Sequence, residues 1–522
     1  MFVAPHIEWA ALTPVLILLG AAVIGVLVEA FVPRASRRLV QLALSALAVA
    51  GALVAVTWRW TVVQSSGPRE LVAGALREDG PALLAQAVLL VLSLLALLVI
   101  ADRSRGEDGF APTAAAVPGS EYEDQARRAG LAQTEVFPLT MFAVTGMLVF
   151  PAAADLLTMF IALEVLSLPL YLLAGLARYR RLLSQEASLK YFLLGAFSSA
   201  FFLMGLALLY GYAGSVRLDE LAVAVPAMAG MDGLLLAGSA LVIVGLLFKV
   251  GAVPFHAWTP DVYQGAPTSV TGFMAACTKV AAFAALLRFV YVVTPGLTWD
   301  LAPFLWTVAI LTMVVGTVLA IVQTDMKRTL AYSSVAHAGF LLLGVIALDE
   351  RGIGGVIFYL LAYGLATVGS FGLVSLVRTK DADGNVTSEA GHLSEWAGLG
   401  RRSPVLAVSF ALFLLSFAGI PLTAGFTGKF AVFSAAVAGG AWPLVVVAVL
   451  ASAAAAFFYV RIIVLMFFTE PPVAEDGSST TVVRTEGLTA VAVVVCAVGT
   501  VLLGVVPSAI LAITAQASKF LL

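Results

Sequence analysis

Three lysines and one glutamate stand where charge is costly. Lys249, Lys279 and Lys429 lie well inside long apolar runs, and Glu164 is the one deeply placed acid, in LLTMFIALEVLSLPLYLL. A charged side chain at the centre of a bilayer costs about 2.5–3.5 kcal/mol on insertion scales, so its presence marks a candidate ion pathway. Both residue types take up and release protons, and an acid near a lysine gives each a partner. The chemistry this set offers is proton transfer. Two prolines mark breaks beside it. Pro254, in FKVGAVPFHAW, removes a backbone donor just after Lys249, and Pro421 precedes Lys429 by eight residues. A broken helix with an ionisable group at its break is a device of ion-coupled transporters. The bland alternative for Lys249 is a side chain that snorkels to the interface.

The remaining chemistry-bearing residues narrow the field. His6, His256, His337 and His392 are scattered and lack metal-ligand spacing, so no metal site is expected. Cys277 and Cys496 both lie in apolar runs, which excludes a disulfide framework and an iron–sulfur ligand set. No glycine-rich loop follows a strand pattern, so nucleotide binding has no support. Lys190 lies near the end of its run, where anchoring and function are both open. Arg288 and Arg461 sit within about two turns of their helix ends, and snorkelling gives them a structural role.

Positioning such residues falls to membrane helices. Of 522 residues, 61% are hydrophobic and 11% charged, with formal net charge −2; mean hydropathy is +1.03. A soluble domain carries about 25% charged residues, so the chain is an integral membrane protein, and nothing suggests nucleic acid. Runs of about 20 apolar residues fall near 8–30, 38–58, 81–101, 136–153, 154–176, 186–213, 232–258 and 266–293. They continue near 301–324, 328–348, 353–377, 404–437, 442–468 and 486–516. The expectation is an all-α polytopic protein of about fourteen transmembrane helices. Only Pro151 and Asp155 separate the fourth from the fifth. The first run has no basic residue before it and no small-residue cleavage site, so it reads as a helix and not a signal peptide. Loops after odd-numbered helices hold 17 of the 29 basic residues and the opposite loops 6. By the positive-inside rule both termini face outward. The mixed-charge stretches Asp102 to Glu135 and Thr379 to Arg402 read as solvated cytoplasmic connections.

An internal repeat organises the middle of the chain. YFLL begins at 191 and FYLL at 358; Pro254 and Pro421, and Ser167 and Ser334, share the same offset of 167 residues. Five helices separate the matched elements, an odd number, so the copies are inverted, each with a broken helix. The expected divisions are 1–130, a three-helix segment and cytoplasmic loop; 131–296, the first repeat (helices 4–8); 297–470, the inverted second repeat (helices 9–13); and 471–522, the last loop and helix.

FKVGAVPFHAWTPDVYQGAPTSVTGF, with LEVLSLPLYLLAGL, SLKYFLLGAFSSAFFLMGLALLYG, DMKRTLAYSSVAHAGF and GIPLTAGFTGKF, resembles the antiporter-like membrane subunits of the proton-pumping NADH-quinone oxidoreductase, respiratory complex I. The resemblance covers roughly residues 130–470. Within that group TPDVYQGAPT points to the subunit N family over L and M, and the chain ends at Leu522 without the long lateral helix of subunit L. The resemblance implies that Glu164 is the fifth-helix glutamate and Lys249 the seventh-helix lysine that pairs with it. It makes Lys279 the eighth-helix lysine that connects two half-channels, and Lys429 the lysine of the broken twelfth helix. Lys190 and His337 match lesser members of the polar axis; for His337 a satisfied histidine between packed helices is the alternative. His256 and Asp261 sit in the elbow, where shaping the break competes with proton transfer.

The resemblance also implies partners and cofactors. The chain would sit with the other membrane-arm subunits in a bacterial plasma membrane. It would hold no cofactor, while the complex uses NADH, FMN, iron–sulfur clusters and a quinone. It is then enzymatic only as a subunit of a proton-translocating NADH:quinone oxidoreductase. Ala/Val/Gly/Arg-heavy usage suggests a GC-rich bacterium and menaquinone. Two rivals belong to other classes: an Mrp-type or free-standing cation/proton antiporter subunit, and a membrane scaffold. The cost of burying Lys249, Lys279 and Lys429 argues against a scaffold.

Overall fold

The computed structural model describes residues 7–521 apart from 105–106, 113–116, 118–119, 130–131, 228–229 and 472–478. His6 and, among the 17 basic residues, Arg105 lie outside the described residues. Long apolar runs become helices because every backbone polar group must be satisfied within the segment where water is excluded. Among the described residues 12 helices are long and apolar enough to cross a membrane, and three more apolar helices are shorter.

The first half of the chain is α1 (Trp9–Phe31), α2 (Arg34–Ser66), α3 (Gly80–Ala101), α4 (Val136–Val149), α5 (Leu156–Ala174), α6 (Arg181–Ala213), α7 (Asp232–Val250) and α8 (Trp258–Gly265). α9 (Thr268–Val293) follows and is buried apart from the half-buried Tyr291. Then come α10 (Thr298–Val322), α11 (Met326–Ile346), α12 (Glu350–Leu376), α13 (Pro404–Ala418), α14 (Ala424–Ala438), α15 (Trp442–Phe468), α16 (Leu488–Val505) and α17 (Ser508–Gln516). Each expected apolar run is occupied by helix. Those at 404–437 and 486–516 are each two helices. The expected boundary after α4 is a single tight turn, Phe150–Ala152, after which Asp155 caps α5 by accepting from the Thr158 N–H at 2.7 Å.

Both expected breaks have one geometry. α7 ends on Gly251 (φ 79°) and α13 on Gly419 (φ 83°), the left-handed conformation that glycine adopts without strain. The N–H of Gly251 and of Ala252 reach the Leu247 carbonyl, and those of Gly419 and Ile420 reach the Leu415 carbonyl. The glycines stand 168 residues apart and the prolines 167, because the second break is one residue shorter. Pro254 and Pro421 are both exposed on the flanks of the chain.

The fold is all-α apart from short strands in the connections between helices. β1 (Arg69–Leu71) and β2 (Leu76–Glu78) form a hairpin, and β3 (Val377–Lys380), β4 (Val386–Glu389) and β5 (Ser479–Val482) form a sheet in the order β4-β3-β5. Thr379 to Arg402 is therefore not a freely solvated connection. Val377, Leu393 and Trp396 are buried, and the Trp396 indole donates to the Ala390 carbonyl at 3.1 Å.

Ion pairs sort the basic residues onto two ends. Arg38 reaches Glu486, Arg178 reaches Asp108, and Arg378 lies over Tyr179, all at one end. Arg59 with Glu78, and Arg77 and Arg217 with Asp219, occupy the other. Arg288 does not snorkel. It is 1% exposed, donates to Asp79 (0% exposed) at 2.7 Å and to the Pro151 carbonyl, and lies under the Phe520 ring. The reason is electrostatic: a buried guanidinium needs a charged and hydrogen-bonded partner. Arg461 caps α10 instead, donating to the Ile321 and Gln323 carbonyls.

Candidate functional site

The three lysines are buried in separate pockets of the interior. Lys249, Lys279 and Lys429 are 2%, 2% and 5% exposed. Lys249 stands in the last turn of α7, where the helix ends at the break. Its ammonium donates to Ser167 Oγ at 2.8 Å and to the Tyr191 hydroxyl at 3.0 Å, and lies 4.9 Å from the Tyr191 ring centre. Lys279 follows a single wide π-helical turn, Met274–Thr278, which locally shifts the face that α9 presents. Its ammonium donates to the Ser334 carbonyl and lies over the Tyr363 ring at 5.6 Å. Lys429 donates to the carbonyls of Phe417 (2.9 Å) and Ala418 (3.0 Å) and to Ser452 Oγ (2.7 Å). Those carbonyls are the free end of α13, where a cation gains about 0.3–1 kcal/mol from the helix dipole. The second break thus creates the seat of its lysine.

Aromatic rings and hydroxyls join the lysines into one row. Tyr191 stacks on Trp258 at 4.6 Å, Trp258 meets Tyr263 edge-on at 6.2 Å, and the Tyr263 and Ser334 hydroxyls stand 3.5 Å apart. Ser334 is the residue whose carbonyl holds Lys279. Beyond Lys279, Tyr363 lies 5.0 Å from the His337 ring and His337 5.5 Å from Phe417, whose carbonyl holds Lys429. His337 is 1% exposed, with Nδ1 bonded to the Tyr359 hydroxyl (2.7 Å) and Nε2 to that of Tyr459 (3.1 Å). It is thus a fully satisfied histidine that also stands between two lysines.

Other expected members lie elsewhere. Glu164 is half-buried and does not form a contact ion pair with Lys249; it accepts from the Ser199 hydroxyl, and Ser167 takes the lysine instead. Its side chain turns toward α6 and the flank of the chain, so its charge acts on Lys249 from a distance. Lys190 lies outside the buried row. It pairs with Glu186 and Asp261, both at 2.7 Å, and Asp261 also binds Arg328, so Asp261 knots α6, α8 and α11 together at the basic end. His256 stands in the elbow, half-buried beside Tyr332, and its Nδ1 has no hydrogen-bond partner among the described residues. Among those residues no group of His, Cys, Asp or Glu is arranged to hold a metal.

The row depends on residues the spacing of charges did not reveal. Tyr171, Tyr191, Tyr263, Tyr359, Tyr363 and Tyr459 are all buried. A buried tyrosine needs a partner for its hydroxyl, and so many in a lipid-facing composition was the available signal.

Residues 153–455 match the family model for NADH:quinone oxidoreductase/Mrp antiporter transmembrane proteins. NADH-quinone oxidoreductase subunit N from Beutenbergia cavernae is 69% identical, covering 99% of each chain. A chain of respiratory complex I from Thermus thermophilus superposes with TM-score 0.77 at 32% identity, covering 97% of this chain and all of that one. A chain of the Mrp complex from a Dietzia species matches at TM-score 0.77 and 22% identity, covering 97% of each, which reflects shared fold. The chain belongs to the NADH:quinone oxidoreductase/Mrp antiporter transmembrane family.

Proposed function

We propose that this chain is the proton-translocating N subunit of a bacterial NADH-quinone oxidoreductase. The observation that carries the reading is the row from Lys249 through Lys279 to Lys429, three buried ammonium sites inside a membrane protein with no contact counter-ion among the described residues. Relatives named subunit N favour it over a free-standing antiporter. NADH, FMN, the iron–sulfur clusters and the quinone, by composition menaquinone, belong to partner subunits, so this chain performs no redox step.

Protons enter and leave the row as its lysines exchange them in turn. Glu164 biases Lys249 electrostatically, while Ser167 and Tyr191 hold the ammonium in place. His337 bridges Lys279 and Lys429, and Lys190 with Asp261 fastens the elbow rather than carrying protons. The matching glycine-ended breaks support two inverted repeats, 131–296 and 297–470, flanked by 1–130 and 471–522. The basic end faces the cytoplasm and both termini the outer side of the plasma membrane.

NADH-driven proton uptake into inverted membrane vesicles carrying Lys249→Ala tests the reading, alongside quinone reductase rate and complex assembly. An assembled complex in which pumping falls at least tenfold is the expected result. Full pumping with full electron transfer would make Lys249 structural and overturn it. Sodium exchange by the isolated chain would favour the antiporter reading.

A further inference from the structure

Two arginines at the basic end are buried without being satisfied. Arg103 follows the end of α3 and Arg378 lies in β3. Arg103 Nε and Arg378 Nη1 are shut off from solvent, and neither has a hydrogen-bond partner among the described residues. Asp108 approaches the Arg103 guanidinium, and Glu389 that of Arg378, only to 3.6 Å, longer than a hydrogen bond. Arg378 otherwise lies over the Tyr179 ring at 5.2 Å. Arg103 is crowded by a like charge: burial, and then Arg38, lower its pKa below the ordinary guanidinium value.

Both side chains line one cavity of about 380 Å³ between the ends of α3, α9 and α12 and the β3–β4 hairpin. Four carboxylates line it too, and each is already engaged. Asp102 accepts from the N–H groups of Arg103 (3.0 Å) and Thr489 (2.9 Å). Glu107 and Asp108 pair with Arg178, and Glu389 accepts from Thr268 and Lys327. With Arg178 and Lys327 included, four cations balance four carboxylates around the cavity. The buried polar atoms of the lining left without a partner are the two guanidinium nitrogens, and both are donors. Thr268 and Ser269, the first residues of α9, line the same space. A helix N-terminus presents free N–H groups and the positive end of the helix dipole, which adds to the pull on an anion.

We propose that this cavity binds a soluble phosphate-bearing anion, held by Arg103 and Arg378 beside the first turn of α9. A guanidinium matches the oxygens of a phosphate group in charge and in the fork of its N–H donors. α3, α9 and α12 are interior helices, so acyl chains do not reach the cavity from the side, and the source is a soluble anion rather than a lipid headgroup. The site stands apart from the row of lysines and does not depend on proton translocation. That its ligand comes from the cytoplasm rests on the orientation proposed above.

The test uses the purified intact complex with inorganic phosphate as the probe, at constant ionic strength with chloride as the replacement. A ligand that binds the folded state slows the opening of the segment it contacts, and hydrogen exchange reads this. Phosphate is expected to slow exchange across residues 377–389 saturably, by at least about threefold. Arg378→Gln should abolish the protection. Arg103→Lys, which keeps the charge but loses Nε, should shift saturation to clearly higher phosphate. Equal protection by chloride, or protection that survives in Arg378→Gln, would overturn the site. Protection by phosphatidylglycerol nanodiscs with none by phosphate would overturn the soluble ligand. If the Arg378→Gln complex does not assemble, Arg103→Lys decides alone: wild-type saturation in that variant overturns the site.

Discussion

The Lys249 ammonium hydrogen-bonds the Tyr191 hydroxyl at 3.0 Å and lies 4.9 Å from the same ring's centre. One side chain therefore offers the lysine both an oxygen and a π-face. Ser167 supplies the second oxygen at 2.8 Å. Among the described residues no carboxylate touches the ammonium, which leaves its charge dependent on neutral dipoles and on Glu164 at a distance.

Tyr191→Phe separates those two contributions, because it keeps the ring and its stacking on Trp258 but deletes the hydroxyl. A hydrogen bond to a charged group contributes about 1.5–3 kcal/mol. NADH-driven pumping is expected to fall about tenfold, with assembly retained. Ser167→Ala is expected to act in the same direction. Unaltered pumping in both variants would mean that Lys249 does not need this seat.

Asp79 and Arg288 make the second prediction. Asp79 caps α3 through the Ala82 N–H, binds Arg288, and accepts from the Leu521 N–H, so the C-terminal residues close over a buried ion pair. Breaking such a pair by removing one partner costs about 3–5 kcal/mol, since the other charge is left buried. Asp79→Ala should lower the thermal unfolding midpoint of the purified complex clearly. Replacing both residues, Asp79→Ala with Arg288→Met, should recover much of it. A single variant that melts like the wild type would show that the pair contributes little.

The third prediction concerns acid, at a group outside the membrane-spanning helices. Burial opposes ionisation of Glu389, but Lys327 and Arg378 beside it, with hydrogen bonds from Thr268 and Lys327, outweigh it and hold the carboxyl down from 4.5 to about 2. A depressed carboxylate stabilises the folded state above its unfolded value, and that stabilisation is lost as pH falls through the folded value. The β3–β4 hairpin should therefore loosen between about pH 4.5 and about pH 2. Hydrogen exchange across residues 377–392 reads this directly, and Glu389→Gln should flatten the profile. An identical acid profile in that variant would remove Glu389 as the cause.

Much of the architecture is legible in the residues themselves. Apolar length dictates membrane helices, because the bilayer leaves the backbone no other partner. The cost of buried charge singled out Lys249, Lys279 and Lys429, and Pro254 and Pro421 located both breaks within a few residues. What stayed hidden is which side chains meet across helices. Arg288 near a helix end could equally snorkel or be buried, and only the packing of Asp79, Pro151 and Phe520 around it decided. The same holds for Glu164 and Lys249, where Ser167 intervenes, and for Lys190, drawn outward by Asp261. Sequence spacing fixes which residues share a helix face; contact between faces depends on how the helices α1 to α17 rotate against one another. That rotation placed six buried tyrosines around the lysines, and no pattern along a single run specifies it.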